Sequence, residues 1–235
     1  MKAPHILTRR LRAAMFATAC AGTLLLGACA SSSEPRYYSL APGGEAGAAG
    51  AALPATVVAR TGTASAAGSP SATQPLWIEV APARVPERLN RQQIVVAGAD
   101  GSVTPLDMAR WSAPLPDEWR DALSQRLQIV LGAVDVYQQG LSDVQPLYRI
   151  TTDVVRLDAQ PGARVGATVN WTVRRLPDGR TLAGRTQAEL PVTSGGHDIG
   201  GVVAAMRQVV DDTAGQIAAA VASLRQEPTT VSRKP

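Results

Sequence analysis

The sequence predicts an α+β domain: a mixed, mainly antiparallel sheet with two long amphipathic helices packed on one face. Three observations carry that prediction. Three segments between Tyr148 and Leu190 alternate apolar and polar residues, as half-buried strands do. An apolar stripe recurs at helical spacing from about Asp198 to Arg225. A shorter helical pattern holds Trp119, Leu123, Leu127 and Val130, with Ala122 and Leu131 beside them.

Residues 1–28 lie outside that domain. Lys2, Arg9, Arg10 and Arg12 form a positive head with no acid near it, and Ala13 to Leu26 is an uncharged, mostly apolar run. The run is shorter than the ~20 residues a membrane-spanning helix needs. It reads as a secretory signal peptide. The full chain of 235 residues has 23 basic and 19 acidic side chains. Removing the head leaves 23 − 4 = 19 basic against 19 acidic, so the mature chain is neutral. The basic balance belongs to the signal, which argues against a nucleic-acid partner.

Leu26-Gly27-Ala28-Cys29 resembles the lipobox of bacterial lipoproteins. The small residues suit a peptidase site, with cleavage between Ala28 and Cys29, and the Cys29 thiol is the acceptor for a diacylglycerol group. The alternative is an ordinary export site that happens to end beside a cysteine. Each buried CH₂ adds ~0.8 kcal/mol to membrane binding, so two or three palmitate-class chains anchor a protein durably. Ala30 follows the cysteine where an Asp would favour inner-membrane retention; by that resemblance the outer membrane is expected. Arg9-Arg10 suggests a twin-arginine signal, but Arg12 breaks the apolar stretch such a signal carries. Cys20 leaves with the signal and Cys29 is acylated, so cysteine catalysis is excluded. No disulfide then supports the fold.

The mature chain begins with residues 29–42, the lipidated N-terminus, where Arg36 to Leu40 reads as a short extended segment. Residues 43–75 are a low-complexity insertion: 27 of 33 are Gly, Ala, Ser, Thr or Pro. Such a segment has too little apolar surface to offset its ordering entropy. A folded domain is expected over 76–226. Leu76, Ile78 and Val80 alternate as a strand. Gln93–Val96 and Ser102–Thr104, separated by Gly98–Gly101, read as a hairpin. Asp117 and Glu118 suit the first turn of the Trp119 helix, where the helix dipole favours acids, and Gly132 stops it. Tyr148–Asp158, Val165–Val173 and Leu182–Leu190 form an antiparallel meander with one face open. The final helix buries Val202, Met206, Val209, Thr213, Ile217, Val221 and Leu224. Residues 227–235 are a tail.

Chemistry-bearing motifs are few. His197 sits in Ser194-Gly195-Gly196-His197-Asp198, and sequence neighbours seldom provide the geometry of a catalytic triad. A Gly-rich loop ending in an N-cap Asp198 explains the same residues. Asp211-Asp212 lacks a second acidic pair and reads as a solvated helix face. No phosphate-binding or dinucleotide-binding glycine motif is present. Trp77, Trp111, Trp119 and Trp171 are either core anchors or the lining of a lipid groove.

The order of features at 76–131 resembles a known family. Leu76-Trp77-Ile78-Glu79-Val80-Ala81-Pro82 is followed by Val85-Pro86-Glu87-Arg88-Leu89. Then come Arg91-Gln92-Gln93-Ile94-Val95, Arg110-Trp111-Ser112-Ala113-Pro114-Leu115 and the amphipathic helix. With Tyr37-Tyr38-Ser39-Leu40 upstream, the pattern is similar to the ABC-type transport auxiliary lipoproteins, the PqiC-like family. Gln92 and Ala113 depart from that pattern, which carries Pro and an acid there. The resemblance implies a non-catalytic periplasmic domain on the outer membrane, without cofactor or metal. Its implied partners are an MCE-type lipid transport protein and that protein's inner-membrane component. Arg and Trp are enriched at interface hot spots. Arg91, Arg110 and Trp111 are therefore the candidate docking residues, acting with the open face of the meander. A structural lipoprotein serving an outer-membrane protein or the cell wall is the alternative. A homo-oligomer is left open.

Overall fold

The computed structural model describes residues 34–41, 75–192 and 198–226. The expected signal peptide, Ala28, Cys29, His197, the tail and all of the insertion but Pro75 lie outside the described residues.

The strands are β1 (Arg36–Tyr38), β2 (Leu76–Val80), β3 (Gln93–Ala97), β4 (Val103–Trp111), β5 (Ala133–Asp135), β6 (Tyr148–Gln160), β7 (Arg164–Arg175) and β8 (Thr181–Pro191). The helices are α1 (Leu115–Leu131) and α2 (Ile199–Gln226). The α+β class holds, with a difference in sheet number. The strands form two sheets, ordered β1-β4-β3 and β5-β2-β6-β7-β8.

The larger sheet is the expected antiparallel meander β6-β7-β8, extended by β2 parallel to both β6 and β5. Its inner face carries Tyr148, Ile150 and Val154, then Leu157 and Ala159. The parity changes because the β6–β7 register shifts between Val154 and Arg156. One extra residue in a strand turns every later side chain over. Leu157 and Ala159 therefore face the core, whereas Val155, on the outward side by the alternation that precedes the shift, is 48% exposed.

α2 packs over β7 and β8 and against α1. Its expected stripe from Val202 to Leu224 is buried throughout. At 1.5 Å per residue it spans ~42 Å, enough to cross the sheet. α1 begins after Pro114 with Pro116 in its first turn, where a missing N–H costs nothing. Gly132 ends it in the left-handed conformation, φ 60°, its N–H bonding the Gln128 carbonyl. Val130, expected on the buried stripe, is 47% exposed. After Leu127 the inward position falls to Leu131, which packs against the core.

The smaller sheet consists of the expected hairpin β3–β4 with β1 added parallel to β4. It lies against β6, where Trp111, Leu115, Leu157 and Met206 line one small interior void. The two sheets and the two helices share one hydrophobic core.

Candidate docking surface

The smaller sheet has two unlike faces. Ala109 and Trp111 of β4 point into the core with Ile94 and Val95 of β3. Arg110 points the other way, because successive strand residues alternate. Tyr37 lies beside Arg110 in the parallel register, and Met108 is two residues back along β4. Tyr37 is 60% exposed and Met108 42%. The Arg110 Nε donates to the Asp107 carbonyl at 3.1 Å, which steadies the guanidinium over this face. Arg91 is exposed in the turn between a 3₁₀ turn (Glu87–Leu89) and β3.

The structure thus brings Arg110 together with Tyr37 and Met108, and it removes Trp111. Trp111 is 2% exposed and belongs to the core, so it has no surface to give a partner. The adjacency of Arg110 and Trp111 in one strand already placed them on opposite faces. Trp119 is also core, Trp171 is buried with its Nε1 donating to Gln216 Oε1 at 3.2 Å, and Trp77 is half-buried. The four tryptophans do not line one groove.

β1 is fixed by residues that local sequence patterns did not mark for this task. The buried Glu118 carboxylate accepts from Ser39 Oγ and Leu40 N, each at 2.9 Å, and from Ala113 N at 3.1 Å. It also accepts a short bond from Ser112 Oγ. Charged acceptors with several donors make strong hydrogen bonds. From α2, Arg207 donates to the Ser39 carbonyl through Nε at 3.1 Å and Nη2 at 2.6 Å. Position 118 stood out only as an acid in a first helical turn. Its true role depends on Ser39, 79 residues away.

Arg120, Ser124 and Asp135 form a second buried cluster. Arg120 Nη2 and Ser124 Oγ each reach Asp135 Oδ2 at 2.6 Å, and Arg120 Nε donates to the Val80 carbonyl at 3.2 Å. The Arg120 guanidinium also stacks on Tyr137, 4.5 Å from the ring centre. A third cluster ends the meander. Arg175 binds Asp178 in the β7–β8 turn and caps α2 by donating to the Leu224 carbonyl at 2.5 Å. The Arg175 hydrogen bond holds the Asp178 carboxyl below its ordinary 3.8. Burial pushes the Tyr148 hydroxyl above 10.0.

Asp211 pairs with Arg126 of α1 at 3.0 Å, and Asp212 accepts from Gln208 at 2.8 Å. Among the described residues no group of three or more His, Cys, Asp or Glu is placed to hold a metal ion. These clusters tie elements together, whereas Tyr37 and Met108 beside Arg110 are exposed, as are Ile129, Val130, Tyr137 and Val155 elsewhere.

A family model for the ABC-type transport auxiliary lipoprotein component matches residues 61–218, more than half of the chain. The chain belongs to that family. As an auxiliary transport lipoprotein it is an accessory component of an ABC-type transport system. No match is found among curated proteins. A crystal structure of an uncharacterised protein is similar at TM-score 0.53 and 17% identity, covering 62% of this chain and 91% of that one. That likeness concerns the fold alone. A Xanthomonas campestris protein gives 0.48 at 19% identity, over 66% and 94% of the two chains. A minor lipoprotein of Acinetobacter baumannii gives 0.27 at 12%, over 64% and 94%. Neither of these last two carries an argument.

Proposed function

We propose that this auxiliary lipoprotein is held at the periplasmic face of the outer membrane through acylated Cys29. There it serves as a non-catalytic accessory subunit of an MCE-type, PqiABC-like lipid transport system. The family match over 61–218 is the observation that carries the reading. Two further features support it. The Leu26–Cys29 motif supplies an anchor. Arg36 in β1 is only seven positions after Cys29. At ~3.5 Å per residue an extended tether of that length reaches ~25 Å, so β1 stays near the bilayer. Glu118 and Arg207 transmit that restraint to both helices. The transport partner docks on Arg110 and Arg91 with the Tyr37–Met108 face, whereas Trp111 supports the strand from below.

A mild-detergent pull-down of the full-length chain tests this reading. Recovery of an MCE-type protein is expected, and it should drop on Arg110→Glu while the protein stays folded. Recovery of only an outer-membrane barrel or cell-wall material would move the chain to an assembly role. Loss of membrane association on Cys29→Ser is the independent check of the anchor.

A further inference from the structure

The outer edge of β8 is long and regular. Its register with β7 runs from Thr181 to Pro191 without a shift, and among the described residues no strand pairs with its other side. The direction of its backbone groups follows from two hydrogen bonds. The Val192 N–H donates to the Ala163 carbonyl at 2.9 Å, and the Arg175 N–H donates to the Arg180 carbonyl at 2.8 Å. Even-numbered residues of this segment therefore bond β7. Alternation then sends the N–H and C=O of Ala183, Arg185, Gln187 and Glu189 outward. Pro191 occupies an outward position too, where its missing N–H costs the β7 ladder nothing.

Edge strands of this length are usually blunted by bulges, charges, proline or a covering segment, and β8 carries Arg185, Glu189 and, at its end, Pro191 at outward positions. The described part of β8 has no bulge, and its inward side chains Leu182, Ala188 and Leu190 are uncharged and only half-buried. Charge restricts what register a self-pairing could take. Centring an antiparallel pair on Arg185 or on Glu189 sets like charges opposite each other. Centring it on Gln187 sets Arg185 opposite Glu189 of the partner subunit twice, and opposite-charge cross-strand pairs stabilise sheets. Glu189 accepts from Arg156 Nη1 at 3.0 Å and from Arg164, and Arg156 also binds Asp158. Arg88 pairs with Asp158 as well, at 3.6 Å, which leaves Arg156 free to share Glu189 with Arg164, and a carboxylate has acceptor sites for more than two donors.

We propose that β8 pairs antiparallel with β8 of a second copy of this chain, about a two-fold axis through Gln187. The two five-stranded sheets then continue as one. Leu190 of the partner subunit falls beside Gly184, over which the Trp171 ring lies.

The test is disulfide capture in membranes containing the full-length lipoprotein. Gln187→Cys should form a linked dimer roughly tenfold more abundant than Arg185→Cys or Glu189→Cys alone, because only position 187 meets itself within disulfide reach. Co-expressed Arg185→Cys and Glu189→Cys chains should link to each other. The unsubstituted chain, whose Cys29 is the internal control, should give no dimer. Gln187→Pro removes one outward N–H and no β7 bond, so it should halve the particle mass in detergent and leave the thermal melt in place. Equal linking at 185 and 187, linking only to a different protein, no linking at all, or a mass unaffected by Gln187→Pro with the fold intact would each overturn the proposal.

Discussion

The five-stranded sheet ends differently on its two sides. β5 is three residues long, and its last residue, Asp135, is fully buried. Arg120, Ser124 and the N–H of Tyr137 all bond the Asp135 carboxylate, so this edge is pinned to α1 and to the loop that follows. β8 is eleven residues long and pins nothing beyond its inner side. Both are edge strands, with the same need to limit stray pairing. One meets it by shortness and a buried ion pair. The other keeps a regular edge and limits pairing by the charges of Arg185 and Glu189 and by Pro191 at its end. The contrast shows that an edge strand's sequence matters less than what the fold lays against it.

Substitutions should separate the two edges by size of effect. Asp135→Ala takes the buried partner from Arg120, which keeps only the half-exposed Asp121 at 2.7 Å, and should lower the unfolding free energy by about 3 kcal/mol, read as a fall in the urea midpoint. A loss under ~1 kcal/mol would show that β5 is held by packing alone. Gly184→Val comes next. A Cβ there would lie 2.1 Å from the Trp171 ring. Overpacking of this kind costs about 1–3 kcal/mol, and the thermal melt should shift accordingly.

The β7–β8 turn gives a pH-dependent case. Because Arg175 holds the Asp178 carboxyl below 3.8, its stabilisation is complete above that value. It is lost as pH falls through the lower folded value. Acid titration of Asp178→Asn followed by circular dichroism should show a flatter loss of stability in that range than the parent. The smallest effect belongs to the outer edge. Arg185→Ala should change stability by no more than ~0.5 kcal/mol, although it should weaken any pairing between copies. A large loss would place Arg185 in the fold itself.

Much of the fold was legible because its signals are local. The alternation in β7 and β8 and the stripe of α2 both emerged as expected. So did the Gly98–Gly101 turn and the Gly132 stop. The exposure of the candidate docking residues was legible in part. Arg91 and Arg110 are on the surface, but composition alone could not tell Trp111 from a hot spot. Strand alternation, applied one residue further, would have done so. The inward turn of Leu157 and Ala159 could not be read, since the bulge before them depends on how β7 pairs.

By itself, then, the sequence determined the element types, their order and the buried face of each long element. It also supplied the seven-residue spacing between Cys29 and β1. Those follow from periodicity and from glycine or proline at turns, which act over a few residues. Only the tertiary structure decided that the strands split into two sheets, that β1 joins β4 and β2 joins β6 in parallel, and that β5 exists. It also decided which polar residues hold the pieces together: Glu118 with Ser39, Arg120 with Asp135, and Arg207 with Ser39. The physical reason is separation. These partners lie from 15 to 168 residues apart, and they meet only after the hydrophobic stripes have packed into one core.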